Sequence, residues 1–384
     1  APPAPPPPTP PAHPAPTAPP PPVAARWHVD VPDYPSLWAW SVSRPEEFWT
    51  SVWAGDGGLC GVIGEPGARV LVETGRLSET RWFPEARLNF AANLLRQTGS
   101  GDAVVFQGEQ QVQRRLSHDR LRLLVARCAA ALRAAGVGPG DRVAAVLPNM
   151  PETLVILLAC ASIGAVFSST SPDFGVQGVL DRFSQIRPRL LFGCDGYWYG
   201  GRWHGTGSRL AAIARGLPDL LQTVMVPYDD RGPVAGEELA GHVLWEDFLG
   251  QEEPPLVFEP LPFDHPLCIL YSSGTTGKPK CIVHRAGGVL LQHLKEHQLH
   301  GDVRPGDRVF YFTTCGWMMW NWLVSALAAR ATLLLYDGSP FAGDGRILFD
   351  YADAEGMTHF GTSARYIDAL AKQDLRPAET HDLT

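Results

Sequence analysis

The sequence lacks the marks of several protein classes. Its seven cysteines are Cys60, Cys128, Cys160, Cys194, Cys268, Cys281 and Cys315, odd in number and never spaced as C-x-x-C. That pattern argues against a disulfide framework and a zinc ribbon, so reduced thiols in a cytoplasmic protein are expected. There is no basic excess: 32 Lys and Arg face 40 Asp and Glu, a formal net charge of −8. Chains that neutralise nucleic-acid phosphates usually carry the opposite balance, so no nucleic-acid partner is expected. Long apolar runs are missing too. The longest, Leu154 to Phe167, has 14 residues and contains Ser162 and Gly164. A membrane span needs about 20, so this run reads as a buried helix and strand and no membrane partner is expected. Residues 1–25 carry no apolar core segment of a secretory signal. No fixed-period repeat is present.

What is there fits a large globular chain. Of 384 residues, 45% are hydrophobic and 19% charged, enough for a sizeable core. Residues 1–22 hold 14 prolines and no charged side chain, a composition that favours polyproline II and cannot pack a core. A disordered, proline-rich tail over 1–25 is therefore expected. Residues 26–100 change character, with Trp27, Trp38, Trp40, Phe48, Trp49, Trp53, Trp82, Phe83 and Phe90 among prolines and glycines. So much aromatic area predicts burial against something larger, a packing segment in place of an independent domain.

From about residue 102 onward, through 384, the pattern alternates. Val104–Phe106 reads as a strand. Ser117 or Asp119 is positioned to cap a helix reaching Ala135, with Leu121, Leu124, Val125, Cys128 and Leu132 at helical spacing. Arg142–Leu147 reads as a strand, Glu152–Ile163 as a helix and Ala165–Phe167 as a strand. Further strands are expected at 190–192, 223–226, 268–271, 308–312 and 332–336. Helices are expected at 179–184, 287–297, 320–328 and 364–370. Strands separated by such helices predict βαβ units, hence an α/β fold with mostly parallel sheets flanked by helices.

The densest signal is Tyr271-Ser272-Ser273-Gly274-Thr275-Thr276-Gly277-Lys278-Pro279-Lys280, placed between an expected strand and an expected helix. Glycines let successive N–H groups turn toward an anion, hydroxyls add donors, and lysines add positive charge. The loop lacks the G-x-x-x-x-G-K-[ST] spacing of a Walker A loop and the G-x-G-x-x-G of a dinucleotide fingerprint. No G-x-S-x-G nucleophile elbow occurs either. On residue chemistry alone, a phosphate nest and a polar turn both remain open.

The ordered run resembles the [S/T]-S-G-T-T-G-x-P-K phosphate loop of the adenylate-forming superfamily. Gly138-Pro139-Gly140-Asp141-Arg142-Val143, followed by Pro148-Asn149, resembles an early segment of those enzymes, and Gly164-Ala165-Val166 another. Trp38, Phe48-Trp49 and Arg87-Leu88-Asn89-Phe90 are similar to the start of the acetyl-CoA synthetase branch. Residues 281–328, then Thr332 to Pro340, resemble the acetoacetate–CoA ligases of that branch. Arg285 and Arg330 depart from the pattern, standing where a small residue, usually Gly, is expected.

The resemblance covers residues 27–384 and implies ATP-dependent conversion of acetoacetate to an acyl adenylate, then to a coenzyme A thioester. Its substrates would be small molecules: a short keto acid, ATP and coenzyme A, with Mg²⁺ sharing the phosphate charge. Ser272, Ser273, Gly274, Thr275, Thr276, Gly277, Lys278 and Lys280 would hold ATP, with Thr276 and Lys280 acting in catalysis. Arg182, in a segment similar to one that meets the coenzyme A nucleotide, would contact that cofactor. Trp317, Met319 and Trp320 would line the acid pocket, with Asn321 near a keto oxygen. The implied fold is the large N-terminal domain of such enzymes. An adenine motif, a ribose-binding Asp, a hinge and a small C-terminal domain would follow it, and none is found before Thr384, so an incomplete adenylation domain is expected.

Two other readings compete. His293-Leu294-Lys295-Glu296-His297 fits H-x-x-E-H, a zinc-peptidase pattern with Glu296 as base; the bland alternative is a polar helix face. A nucleotide-binding fragment without turnover is the other.

Overall fold

The structure is a computed structural model that describes residues 21–229, 241–272 and 277–383. The chain divides into two compact units, Ala1–Gly61 and Val62–Thr384.

In the first unit, three helices follow one another: α1 (Pro21–Trp27), α2 (Tyr34–Ser43) and α3 (Pro45–Ala54). Asp33 starts α2 by accepting the Ser36 N–H at 2.9 Å, while Ser36 Oγ accepts the Asp33 N–H at 3.2 Å. Val23, Val31 and Trp40 form the small core, and the Trp40 indole donates to Glu47 at 3.0 Å. Burial is uneven among the aromatics expected to pack: Trp40 and Trp53 are buried, but Trp38 is 58% exposed. At 34, 38 and 42, α2 instead turns an apolar side chain outward every fourth residue.

The second unit alternates as expected. In chain order it contains strands β1 (Asp102–Gly108) and β2 (Val112–Ser117), helix α4 (His118–Ala134), β3 (Arg142–Val146), α5 (Pro151–Ile163), β4 (Val166–Thr170), α6 (Val176–Ile186) and β5 (Leu190–Cys194). A hairpin follows, β6 (Gly196–Tyr199) with β7 (Arg202–Gly205), then β8 (Gln222–Val226), β9 (Val243–Leu244), β10 (Pro266–Ser272) and β11 (Lys280–Arg285). Helix α7 (Ala286–Lys295), β12 (Arg308–Tyr311), α8 (Met318–Val324), β13 (Thr332–Asp337) and β14 (His359–Gly361) complete the site-bearing elements.

Local chemistry explains the helices. Ser117 caps α4, its Oγ accepting the Arg120 N–H at 3.1 Å, and the expected Leu121, Val125, Cys128 and Leu132 are buried. Helix α5 opens on Pro151 and ends at Gly164, whose φ of 78° is the left-handed conformation that closes a helix. Every residue of α5 except Glu152 is buried, the mark of a central helix. Glu152 meets Arg114 of β2 at 2.6 Å.

Among the described residues, two sheets carry the unit. One has seven strands in the order β9-β8-β5-β3-β4-β10-β11, the other five in the order β14-β12-β13-β1-β2. All neighbours pair in parallel except β10 with β11 and β1 with β2, each an antiparallel edge. The winding runs from β3 to β4, then crosses to β5 on the other flank of β3. Reversal of that kind leaves a crevice beyond the carboxyl ends of the strands.

The structure corrects the sequence reading in places. The loop after β10 joins two antiparallel strands, not a strand to a helix, because Lys280–Arg285 folds back in register, Ser272 facing Lys280. Strands β2, β6, β7 and β14 were not expected. They are short or arginine-rich; β2 folds back on β1, β6 and β7 pair with each other, and β14 alone pairs with a strand far off in sequence, β12. Helix α7 runs on through a π turn, Glu296–His300, and α8 begins at Met318 and tightens into a 3-10 turn, Ser325–Ala329. Six of the seven cysteines are buried, and Cys281 is exposed. No helix among the described residues is long and apolar enough to cross a membrane.

The two arginines at positions expected to be small differ in kind. Arg285 has ordinary extended backbone, φ −98° and ψ 140°. Arg330 closes the 3-10 turn at φ 66°, a left-handed conformation that disfavours any residue with a Cβ. Its side chain is exposed. Arg330→Gly is therefore expected to stabilise the fold by about 0.5–1 kcal/mol, net of glycine's extra unfolded-state entropy. A thermal melt should show Tm rising by roughly 1–3 °C; a lower Tm would refute the backbone argument.

Candidate active site

The carboxyl ends of the two sheets face one another, and polar side chains bolt them together. Asn149, just after β3, is buried. Its amide donates to the carbonyl of Tyr336 in β13 at 3.3 Å and accepts the Trp320 indole N–H at 2.9 Å. The Cys315 thiol donates to the Leu147 carbonyl at 2.9 Å. Tyr228, after β8, donates its hydroxyl to Asp337 at the end of β13 at 3.0 Å.

Strand β4 links the two segments that carry the sequence signal. Ser168 Oγ donates to the Ile269 carbonyl at 2.9 Å and lies 3.0 Å from the Tyr271 hydroxyl, which ties β4 to the strand leading into the loop. Ser169, the next residue, points to the opposite face and donates to the Cys315 carbonyl at 2.7 Å. Thus the strand that leads into the loop and the start of the 315–322 segment are held by consecutive residues of one strand.

Four of the expected phosphate-loop residues, Ser273, Gly274, Thr275 and Thr276, lie outside the described residues. The flanks are clear. Ser272 ends β10 half-buried, Gly277 turns at φ 90°, and Lys278 and Lys280 are exposed. Helix α6 braces the loop's far side, with Gln185 donating to the Pro279 carbonyl at 2.8 Å. Arg182, one turn earlier, lies over the rings of Phe174 at 4.6 Å and Tyr271 at 5.9 Å. So Arg182 stands beside the strand that enters the loop, a proximity invisible in sequence because about 90 residues separate them.

The acid-pocket candidates separate. Trp317, which precedes α8, is 64% exposed and Met319 is half-buried. Trp320 has no exposed surface and packs on Phe167 with ring centroids 6.2 Å apart. It stands behind the surface that Trp317 and Met319 present. Asn321 is buried as well.

The zinc-peptidase pattern is not assembled. Both histidines point inward and are tied to the fold: His293 Nδ1 pairs with Ser325 Oγ, and His297 Nε2 with the Trp322 carbonyl, each at 2.8 Å, while His297 Nδ1 is buried without a partner. Burial lowers His293 to about 3 and His297 to about 4, so both are neutral. Glu296 pairs with Lys295 at 3.1 Å and Gln292 at 3.0 Å. Among the described residues no three metal-binding side chains cluster.

Sequence reasoning missed Asp337, Asn149 and the serines of β4 as site supports. A buried polar residue at a strand's carboxyl end is the signal that marks them.

A family profile described as "AMP-binding enzyme" matches residues 92–384. The acetoacetyl-coenzyme A synthetase of Rhizobium meliloti (strain 1021) is 59% identical over 353 residues, 92% of this chain and 53% of that protein. The acetoacetyl-CoA synthetase of Rattus norvegicus is 45% identical over 361 residues, 91% of this chain and 53% of that one. The malonamoyl-CoA synthetase vrtB of Penicillium aethiopicum is 40% identical over 369 residues, 90% and 50%. The solved acetoacetyl-CoA synthetase from Streptomyces lividans superposes with a TM-score of 0.86 at 42% identity, covering 94% of this chain and 55% of that one. The chain thus spans about half the length of the relatives it matches.

Burial raises the Asp337 carboxyl from 3.8 to about 7. Between those values the folded state holds the proton more tightly than the unfolded state. Stability therefore falls as pH rises through that interval and is level above it. The two histidines act oppositely, removing stability as pH falls from 6.5 toward 4. In thermal melts, Asp337→Asn should gain on the parent chain as pH rises from about 4 to 7, then hold a constant difference. A difference independent of pH would show that Asp337 titrates normally.

Proposed function

The chain belongs to the AMP-binding enzyme family, and from that membership we propose that it is the nucleotide- and acid-binding part of an ATP-dependent acid–coenzyme A ligase acting on acetoacetate. The reaction has two halves. The acid carboxylate attacks the α-phosphate of ATP, forming an acyl adenylate and releasing pyrophosphate. The coenzyme A thiolate then attacks the acyl carbon, and AMP leaves.

The loop is assigned to the β- and γ-phosphates. Ser272, Ser273, Thr275 and Thr276 supply hydroxyls, and Gly274 and Gly277 let the backbone approach. Lys278 and Lys280 supply charge, with Thr276 and Lys280 stabilising the charge that moves onto the leaving pyrophosphate. The exposed Lys280, paired across from Ser272, supports this. Mg²⁺ commonly binds through substrate phosphates while keeping several waters, and it would neutralise the same charge. Trp317 and Met319 are assigned to the acid, with Trp320 as the support beneath them. Arg182 is assigned to an anionic nucleotide group, and its place beside the loop allows either ATP or coenzyme A.

One observation supports the reading: consecutive serines of β4 hold the strand that leads into the glycine-rich loop and the start of the 315–322 segment, as expected if the loop takes an anion and the segment an acid at one crevice. The substrate class follows from the relatives' names. Acetoacetyl and malonamoyl groups both carry a second carbonyl two carbons from the thioester carbonyl.

ATP–pyrophosphate exchange tests it. Acetoacetate should support exchange at least about tenfold faster than acetate or 3-hydroxybutyrate, roughly 1.4 kcal/mol of discrimination. Equal rates would remove the keto-acid assignment. Lys280→Ala should slow exchange by about tenfold or more; an unchanged rate would sink its role.

A further inference from the structure

Glu109 is a buried acid with no part in the reaction above. It follows β1 directly and is 1% exposed. Its carboxylate is saturated by backbone donors from two other elements. Gly200 N–H donates to Oε1 at 2.6 Å, Gly201 N–H to Oε2 at 2.8 Å, and Ser339 N–H to Oε1 at 2.8 Å. Its own N–H donates to the Asp337 carbonyl at 3.1 Å. The glycines are the tip of the β6–β7 hairpin, and Asp337–Ser339 is the turn that leaves β13.

The backbone around this carboxylate is costly. Glu109 sits at φ 45°, unfavourable for a residue with a Cβ. Gly338 lies at φ 124°, and a Cβ there would overlap the Glu109 side chain. Desolvating a carboxylate costs several kcal/mol unless it is well bonded, and an apolar side chain would fill the same space without that cost. Strain gathered around one buried charge points to a use for its position.

The contacts lead onward to the site. Asp337 accepts the Tyr228 hydroxyl, the preceding Tyr336 carbonyl accepts Asn149, and Asn149 holds the Trp320 indole beneath Trp317 and Met319. We infer that Glu109 is a positioning residue: it locks the hairpin tip and the turn after β13 into one rim, and through Asn149 and Trp320 it sets the place of the acid-binding surface. The effect on the acid rests on the function proposed above; the mechanical coupling does not.

Glu109→Gln keeps the shape but turns an N–H toward one of the three donors. Should that variant fail to fold, Glu109→Asp, which shortens the reach, takes its place. Hydrogen exchange on the whole chain should then quicken about tenfold or more at Gly200 and Gly201, and also across Trp317–Met319, while α5 is unchanged. In pyrophosphate exchange, KM for acetoacetate should rise about tenfold with KM for ATP held within about twofold. Unchanged hydrogen exchange at the glycines overturns the lock. Faster exchange there without any change at Trp317–Met319, or equal changes in both KM values, overturns the positioning role and leaves a hairpin anchor. If the parent chain supports pyrophosphate exchange with no acid, the functional reading fails, and hydrogen exchange at Trp317–Met319 still decides the coupling.

Discussion

The second unit depends on how two parallel sheets satisfy their polar backbone where their carboxyl ends meet. Strand ends leave carbonyls and N–H groups without ladder partners, and burying them unpaired costs free energy. Asn149 meets that constraint at the centre. One side-chain amide serves the carbonyl end of β13 and an indole of α8 together, with Cys315, Tyr228 and Glu109 arranged around it. The crevice exists because these groups are paired with one another, and the strand ends can therefore face each other at close range.

The same constraint sorts the aromatic segment after β12. Trp320 carries an N–H that must be paired if buried, and Asn149 supplies the partner, so Trp320 goes inward. Trp317 stands ahead of the helix with no such anchor and stays exposed. The polar helix face that resembled a zinc motif is sorted likewise. His293 and His297 found a serine and a carbonyl, lost their charge to burial and became packing.

Much was legible in the sequence where a local rule acts. Ser117 or Asp119 before an apolar stripe marked the start of α4, where Ser117 proves to be the cap, and the helix expected over Glu152–Ile163 matches α5 to within one residue. The left-handed turn at Arg330 was foreshadowed only through the family resemblance, which puts a glycine at that position. Strands β2 and β11 were hidden. The polar run Gln113-Arg114-Arg115 in β2 and the exposed side chains of β11 say little about strand formation, although each is the return strand of a hairpin, on β1 and on β10. The loop's hairpin geometry was hidden together with β11.

By itself the sequence determined the alternating α/β class and the start of α4, because each follows from spacing and residue type over a few positions. Tertiary structure alone decided which candidates meet. It put Arg182 beside Tyr271, used Ser168 and Ser169 to join the loop's strand to the 315–322 segment, and buried Trp320 while leaving Trp317 in the open. Those outcomes come from pairing polar groups across two sheets, a contest among residues far apart in the chain that no single stretch records.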